Sequence, residues 1–289
     1  MAHVELGSLR PPSVLGNCEL VNRIEPKLRA AYLRRMFLST ELLTLRNPDL
    51  RPTIQPVADG YAVFHGPHGM SSFAREVGTS RPVTENELST LEQFYRDHAC
   101  PVRVWVSNRT HASFLDMLRD RGYAARSPSV SWFRSLDSSP IHCEHRNFEV
   151  LPLAAHRDER WIQTVAAGFL EDDRSVSPAE MPSTFVDLFF ALGCAPDDQA
   201  FLALKHGEPV GGAVLNVADG LAMVRTASTR LACRNMGVHQ ALLAARLECA
   251  REQGARIAVV QSPPSGPSAH NLKKIGFESF CHGCIMERR

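Results

Sequence analysis

The chain has no charge of either sign to spare: 32 lysines and arginines stand against 31 aspartates and glutamates, a formal net charge of +1. Nucleic-acid binders and peripheral membrane proteins carry a basic excess, so neither kind of partner is expected. No apolar run approaches the roughly 18–20 residues of a membrane span. The first twenty residues are polar and charged throughout and lack the apolar segment of a signal peptide. The eight cysteines (Cys18, Cys100, Cys143, Cys194, Cys233, Cys249, Cys281 and Cys284) are scattered rather than set out as a disulfide framework. These absences predict a cytoplasmic protein with reduced thiols. A Gly-x-Ser-x-Gly nucleophile elbow and the glycine fingerprint of dinucleotide binding are also missing, which argues against hydrolase and nicotinamide chemistry. Cys281-His282-Gly283-Cys284, with His142, Cys143 and His145, has metal-binding residue types. On a strand, however, positions three apart face opposite ways, and the partner spacing of a zinc module is absent. No metal is expected.

What is present is ordinary globular composition, 44% hydrophobic and 22% charged over 289 residues, a length that predicts about two domains. Pro26 suits the first position of a helix continued by Leu28, Ala31, Tyr32, Met36 and Leu43. Tyr61–Phe64 and Phe73–Val77 read as short strands. Thr84 and Glu87 form a capping box before a stripe of Leu88, Leu91, Phe94 and Tyr95. In the second half Phe201–Lys205 and Pro209–Val217 flank a hairpin turn at His206-Gly207. A long helix after Gly237 ends at Gly254, and Ile257–Val260 reads as a strand buried on both faces.

The two halves share a tail of strand, helix, Gly-aromatic and strand: ACPVRVWVS…SFLDMLRDRGYAA in one, GARIAVVQS…SAHNLKKIGFES in the other. Duplication at this spacing predicts two α/β domains rather than a repeat array. The expected division is residues 1–137, a polar linker over 138–147, and residues 148–289.

The chemistry concentrates in ASTRLACRNMGVHQA, Ala227–Ala241. A strand ends, a short connection carries Arg234 and Gly237, and a helix begins. Such a turn aims free N–H groups and the positive end of the helix dipole at one point, which suits a pyrophosphate. Arg234 would add a charge-assisted donor.

Arg234-x-x-Gly237 after a strand resembles the acyl-CoA pyrophosphate loop of the GNAT (GCN5-related N-acetyltransferase) superfamily, Gln/Arg-x-x-Gly-x-Gly/Ala. Ser268-x-x-Asn271-x-x-Lys274-x-Gly276-Phe277 resembles a second element of many bacterial members. The resemblance runs over residues 148–289, and the first half resembles a degenerate second copy. It implies two tandem GNAT-like domains, each a mixed β-sheet flanked by helices, and transfer of an acetyl or other short acyl group from acetyl-CoA to an amine. Ala227, Ser228 and Thr229 would hold the pantetheine arm. Arg234, Asn235, Met236, Gly237, Val238, His239 and Gln240 would form the pyrophosphate loop and helix start, and Ser268 and Asn271 would face the arm or its thiol end. Glu171 and Asp172, with Asp173 beside them, fall where acceptor pockets are lined and are the expected bases; Glu180 is a further carboxylate.

Two positions depart from the pattern. His239 stands where the loop ends in Gly or Ala, and Leu272 where a tyrosine acid protonates the leaving thiolate. Ser268, His270, Cys281 or a water are the alternatives for that acid. A non-catalytic CoA sensor is therefore the rival reading. The first half has no matching loop: GTSRPVTEN leads straight into its helix. No CoA site is expected there, and its role would be structural or to wall the acceptor pocket.

Overall fold

The structure, a computed structural model, describes residues 18–67, 70–137, 147–153, 159–170 and 182–288. Of the expected linker, 138–147, all but Asn147 lies outside them, as do Glu171, Asp172, Asp173 and Glu180.

The first half contains α1 (Cys18–Arg46), the hairpin β1 (Thr53–Val57) and β2 (Gly60–Phe64), α2 (Glu85–Asp97), β3 (Val102–Ser107), α3 (Ala112–Asp120) and β4 (Ala124–Ser135). The second contains β5 (Glu149–Pro152), α4 (Glu159–Phe169), α5 (Ser183–Gly193), β6 (Asp198–Lys205), β7 (Glu208–Ala218), β8 (Leu221–Thr229), α6 (Val238–Glu252), β9 (Ile257–Ser262), α7 (Pro267–Lys274) and β10 (Glu278–Arg288). Pro26 lies inside α1 rather than at its start. The helix begins upstream, and Pro26 forfeits one backbone bond within it. The strand expected over Phe73–Val77 is reduced to single bridges at Ala74 and Arg75. Left-handed backbone at Glu76 (φ 61°) and Gly78 (φ 71°) turns the chain away from the ladder.

The expected repeat is realised in detail. Both α3 and α7 end on a left-handed glycine, Gly122 (φ 80°) and Gly276 (φ 82°). The next residue donates back into the helix over 3.0 Å in each case, Tyr123 to Leu118 O and Phe277 to Leu272 O. Such a closure buries the aromatic that follows the glycine; Tyr123 and Phe277 are both core residues.

The two halves do not keep separate sheets. One eight-stranded sheet runs β3-β10-β4-β9-β8-β7-β6-β5. The last strand of each half is thus inserted beside the other half: β10 pairs with β3 and β4, and β4 pairs with β9. All neighbours are antiparallel except β8 and β9. Helices α6 and α7 cover one face over Ala213, Leu215, Ala222 and Val224. On the other face α4 and α5 pack on Leu202 and Val214, and α1 lies across Phe133, Met223 and Val259. Helices α2 and α3 enclose a further core with Val104, Val106, Cys284 and Met286.

An ion cluster fastens α1 to this sheet. The buried Asp198 carboxylate takes Arg35 of α1 at 3.0 Å and Arg225 of β8 at 2.5 Å. Neighbouring Asp197 takes Arg34 at 3.1 Å and Arg35 at 3.5 Å. Removing one member of a buried pair leaves uncompensated charge. Asp198→Asn is expected to cost about 3–5 kcal/mol, read as a lower urea midpoint with an unchanged slope. A loss below about 1 kcal/mol, within the range of surface ion pairs, would show that α1 is anchored by its apolar face alone.

Candidate functional site

Strands β8 and β9 start side by side at the floor of the site and do not stay so. Their parallel ladder covers Leu221–Met223 against Ile257–Val259 and then stops. On its other edge β8 carries a bulge against β7: Gly212 faces Ser228, but Val214 faces Arg225, so two residues of β8 oppose one of β7. Thr226 sits in this bulge with φ 47°, a conformation that costs a β-branched residue strain. Bulges increase local twist and bend the strand. Here the bend carries β8 away from β9, so from Val224 onward no ladder joins the two strands.

Arg246 of α6 supports the bulge. Its fully buried guanidinium donates to Arg225 O at 3.2 Å, Val214 O at 3.4 Å and Leu242 O at 2.9 Å. Burial pulls its pKa down to about 9. Carbonyls released by the bulge are thereby satisfied in a dry core. Neither Arg246 nor the bulge was expected from sequence. The available signal was a lone charge in the i, i+4 row Val238, Leu242, Arg246, Ala250.

The gap opens into a cleft of about 840 Å³. Ala227, Ser228, Thr229, Arg234, Asn235, Gly237, Val238, His239, Gln240, Ser268 and Asn271 all line it, together with Gly168, Phe169, Pro263 and His270. Among the residues expected there, Met236 alone is not in the lining. It projects outward, 44% exposed, with its sulfur 4.0 Å from Lys205 Nζ.

After β8, a short 3₁₀ turn (Leu231–Cys233) and left-handed backbone at Asn235 (φ 63°) and Gly237 (φ 95°) redirect the chain into α6. Among the described residues no side chain caps this helix, so its first N–H groups, in the wall of the cleft, have no acceptor within the helix. Arg234 does not project freely into the space: its guanidinium donates to Gly168 O at 3.0 Å and Thr229 O at 3.4 Å, tying the loop to the end of α4. Ser228 Oγ donates to Val165 O at 2.9 Å, leaving backbone rather than hydroxyl to face the cleft.

His239 is a positioning group. Asn271 donates to its Nδ1 at 3.2 Å and accepts from Gln240 at 2.8 Å, joining the first turn of α6 to α7. Accepting at Nδ1 places the imidazole proton on Nε2. Burial, with Arg246 second, pushes its pKa down to about 4, so the ring is neutral at pH 7.

Of the alternatives for the acid, Ser268 and His270 line the cleft. Cys281 lines a different, smaller cavity of about 60 Å³, and burial raises its thiol to about 11. Leu272 is buried in the core beside Ala269 and Phe277.

The equivalent loop in the first half is filled from within. Asp59, in the β1–β2 turn, accepts from the N–H groups of Gly78 (2.5 Å), Thr79 (2.9 Å) and Ser80 (2.7 Å), and from the Ser80 hydroxyl (2.7 Å). Burial acts to raise its pKa, but the bonds from Ser80 and Gly78 outweigh that and hold it below the ordinary value. The capping box expected at Thr84 and Glu87 closes α2 behind it. The donors left open in the second half thus meet the protein's own carboxylates in the first.

No protein-family model and no curated protein matches this sequence. Solved structures do. A GCN5-related N-acetyltransferase from Kribbella flavida superposes with a TM-score of 0.58 at 14% identity, over 88% of this chain and 94% of that one. Another from Sphaerobacter thermophilus gives 0.52 at 16% identity, over 70% and 66%. A tandem GNAT protein from the clavulanic acid biosynthesis pathway gives 0.52 at 11% identity, over 70% and 68%. A match over 88% of the chain cannot be confined to either half. With the β8 bulge, the parted strands and the start of α6 in place, the chain has the fold of the GCN5-related N-acetyltransferases.

Proposed function

We propose that the protein is an N-acetyltransferase that binds acetyl-CoA in the β8–β9 cleft and passes its acetyl or short acyl group to an amine by direct attack. The observation that carries this reading is the parting of β8 and β9 beside the uncapped start of α6. One strand edge offers unpaired backbone to an extended arm, and the helix offers N–H donors to a diphosphate. In this reading residues 1–137 and 148–289 are two copies of one unit, of which only the second binds the co-substrate. Free thiols at Cys100, Cys194, Cys233, Cys249, Cys281 and Cys284, and the lack of any helix among the described residues long and apolar enough to cross a membrane, support action in the cytoplasm.

Acetyl-CoA supplies the activated thioester. The amine nitrogen forms a bond to the acyl carbon, the carbon–sulfur bond breaks, and the amine proton passes to a base, for which Glu171 and Asp172 are the candidates. The chain's own contribution is placement: backbone of Ala227–Thr229 fixes the arm, and the loop from Arg234 to Gln240 fixes the diphosphate. Orientation of this kind can account for much of an acyl-transfer barrier. Of the alternatives expected for the acid, Ser268 and His270 are the ones that line the cleft and could return a proton to sulfur.

A second reading, a CoA-binding sensor without turnover, is favoured by one observation: Leu272 is packed in the core where the family pattern has its tyrosine acid.

Calorimetric titration should detect acetyl-CoA binding, and Gly237→Glu should weaken it at least about 100-fold. That substitution adds a side chain at φ 95° and an anion at the helix start, the wrong sign for the dipole. Unchanged affinity would remove the loop assignment. Transfer across an amine panel then separates enzyme from sensor. In the enzyme, Glu171→Gln is expected to lower turnover by about 10²-fold or more, the usual range for a general base, with acetyl-CoA affinity within twofold. An unaltered rate would exclude Glu171 as the base.

A further inference from the structure

On the opposite side of the β8 bulge from the cleft lies a second cavity, of about 170 Å³, whose walls come from both halves. Helix α1 contributes Tyr32 and Arg35, β8 contributes Arg225 and Thr226, and the first half contributes His65 and Arg75. Thr226 faces this cavity and its neighbour Ala227 faces the cleft, so the two spaces share the bulge as a wall. At this level no ladder bond joins β8 to β9. The volume equals about five or six water molecules, enough for a small molecule.

The charges here are unevenly used. Arg35 and Arg225 are held by Asp198, and Arg225 also donates to Leu192 O at 2.5 Å. Arg75 makes no hydrogen bond or ion pair to a carboxylate or carbonyl among the described residues; the carboxylate that acts on it, Glu76, is paired with Arg29 at 3.0 Å. Its guanidinium lies over the ring of Phe73 at 4.2 Å and beside that of Tyr32 at 5.6 Å. Aromatic faces hold a cation in place but leave its N–H donors unspent. Burial lowers its pKa from the ordinary arginine value, the mark of a charge short of solvation. The neighbouring His65 is itself fully engaged. Thr40 donates to Met36 O at 2.9 Å, so its oxygen accepts from His65 Nε2 at 2.7 Å, while Ser71 donates to Nδ1 at 3.2 Å. The ring is therefore neutral, and Arg75, which also lines two neighbouring cavities, is the one cation of this wall without an ion pair among the described residues; Arg35 Nε and Arg225 Nε lie buried there without hydrogen-bond partners.

Building on the acetyltransferase reading, we propose that this cavity is the acceptor site and that the acceptor is a small amine bearing a carboxylate, its two oxygens taken by Arg75 and its amine turned toward Thr226. One planar guanidinium matches one carboxylate; a lysine side chain of a protein substrate would bring only methylenes and a second cation. The cationic wall favours the amine in its neutral, nucleophilic form.

The test pairs acids with their uncharged counterparts. Glycine, β-alanine, aspartate and glutamate, their amides, and O-phosphoethanolamine are assayed for acetyl transfer from acetyl-CoA and for binding in the presence of CoA. At least one amino carboxylate is expected to exceed its amide by tenfold or more in kcat/KM or affinity. Arg75→Met should abolish that preference and Arg75→Lys should reduce it, both binding acetyl-CoA within twofold of the parent; this last measurement also reports folding. Equal handling of acid and amide, preference for the phosphate amine, no carboxylate bound, or a preference that survives Arg75→Met overturns the proposal. Failure of the unaltered protein to bind acetyl-CoA instead overturns the acetyltransferase reading on which it rests.

Discussion

Three parallel residue pairs join β8 to β9, and the constraint that there be no fourth shapes everything around the site. A sheet normally closes every ladder because a buried N–H or C=O without a partner is costly. Here the bulge at Thr226 turns β8 aside. The cost is met locally: Arg246 reaches from α6 to the carbonyls of Val214 and Arg225, and Ser228 reaches to α4. What remains unpaired is the edge facing the gap. Strain at one residue and a buried cation together maintain an opening that the sheet would otherwise zip shut.

The contrast between the halves follows from where carboxylates lie. Both halves bring a strand-like segment to a loop and then to a helix. In the first, Asp59 and Glu87 satisfy the loop and helix-start donors from within the chain. In the second, no described side chain caps α6, and Arg234 is engaged with main-chain carbonyls. The two loops thus differ in whether the described chain itself supplies acceptors for their donors. One carboxylate in a tight turn is enough to occupy the position that an anionic ligand would take.

Much of this arrangement is legible in the sequence, wherever local rules suffice. The Thr84–Glu87 box, the closures at Gly122 and Gly276, the His206-Gly207 turn and the start of α6 at Gly237 are each set by residues within a few positions of one another. Their chain order is enough to indicate the fold and the loop. Features that depend on distant pairing are not legible. Nothing near Thr226 announces a bulge, because it arises from register against β7. Arg246 reads as a misplaced charge until the carbonyls it serves are known. Asp59 lies some twenty residues from the N–H groups that it fills, and Phe73–Val77 has the composition of a strand but is bent by its own left-handed residues. Sequence also divides the chain into two successive units and gives no hint that their final strands trade places.

That exchange of final strands governs how the molecule can be made. Strand β3 meets the main sheet only through β10, and β4 is flanked by β10 on one side and β9 on the other. A nascent chain that has completed β4 holds two strands of its sheet with nothing between them. The missing neighbour lies about 150 residues further on, so pairing here waits for a contact of very high sequence separation. Closure of this part of the sheet therefore comes late, and removal of β10 would part β3 from β4 in the first half as surely as it would shorten the second.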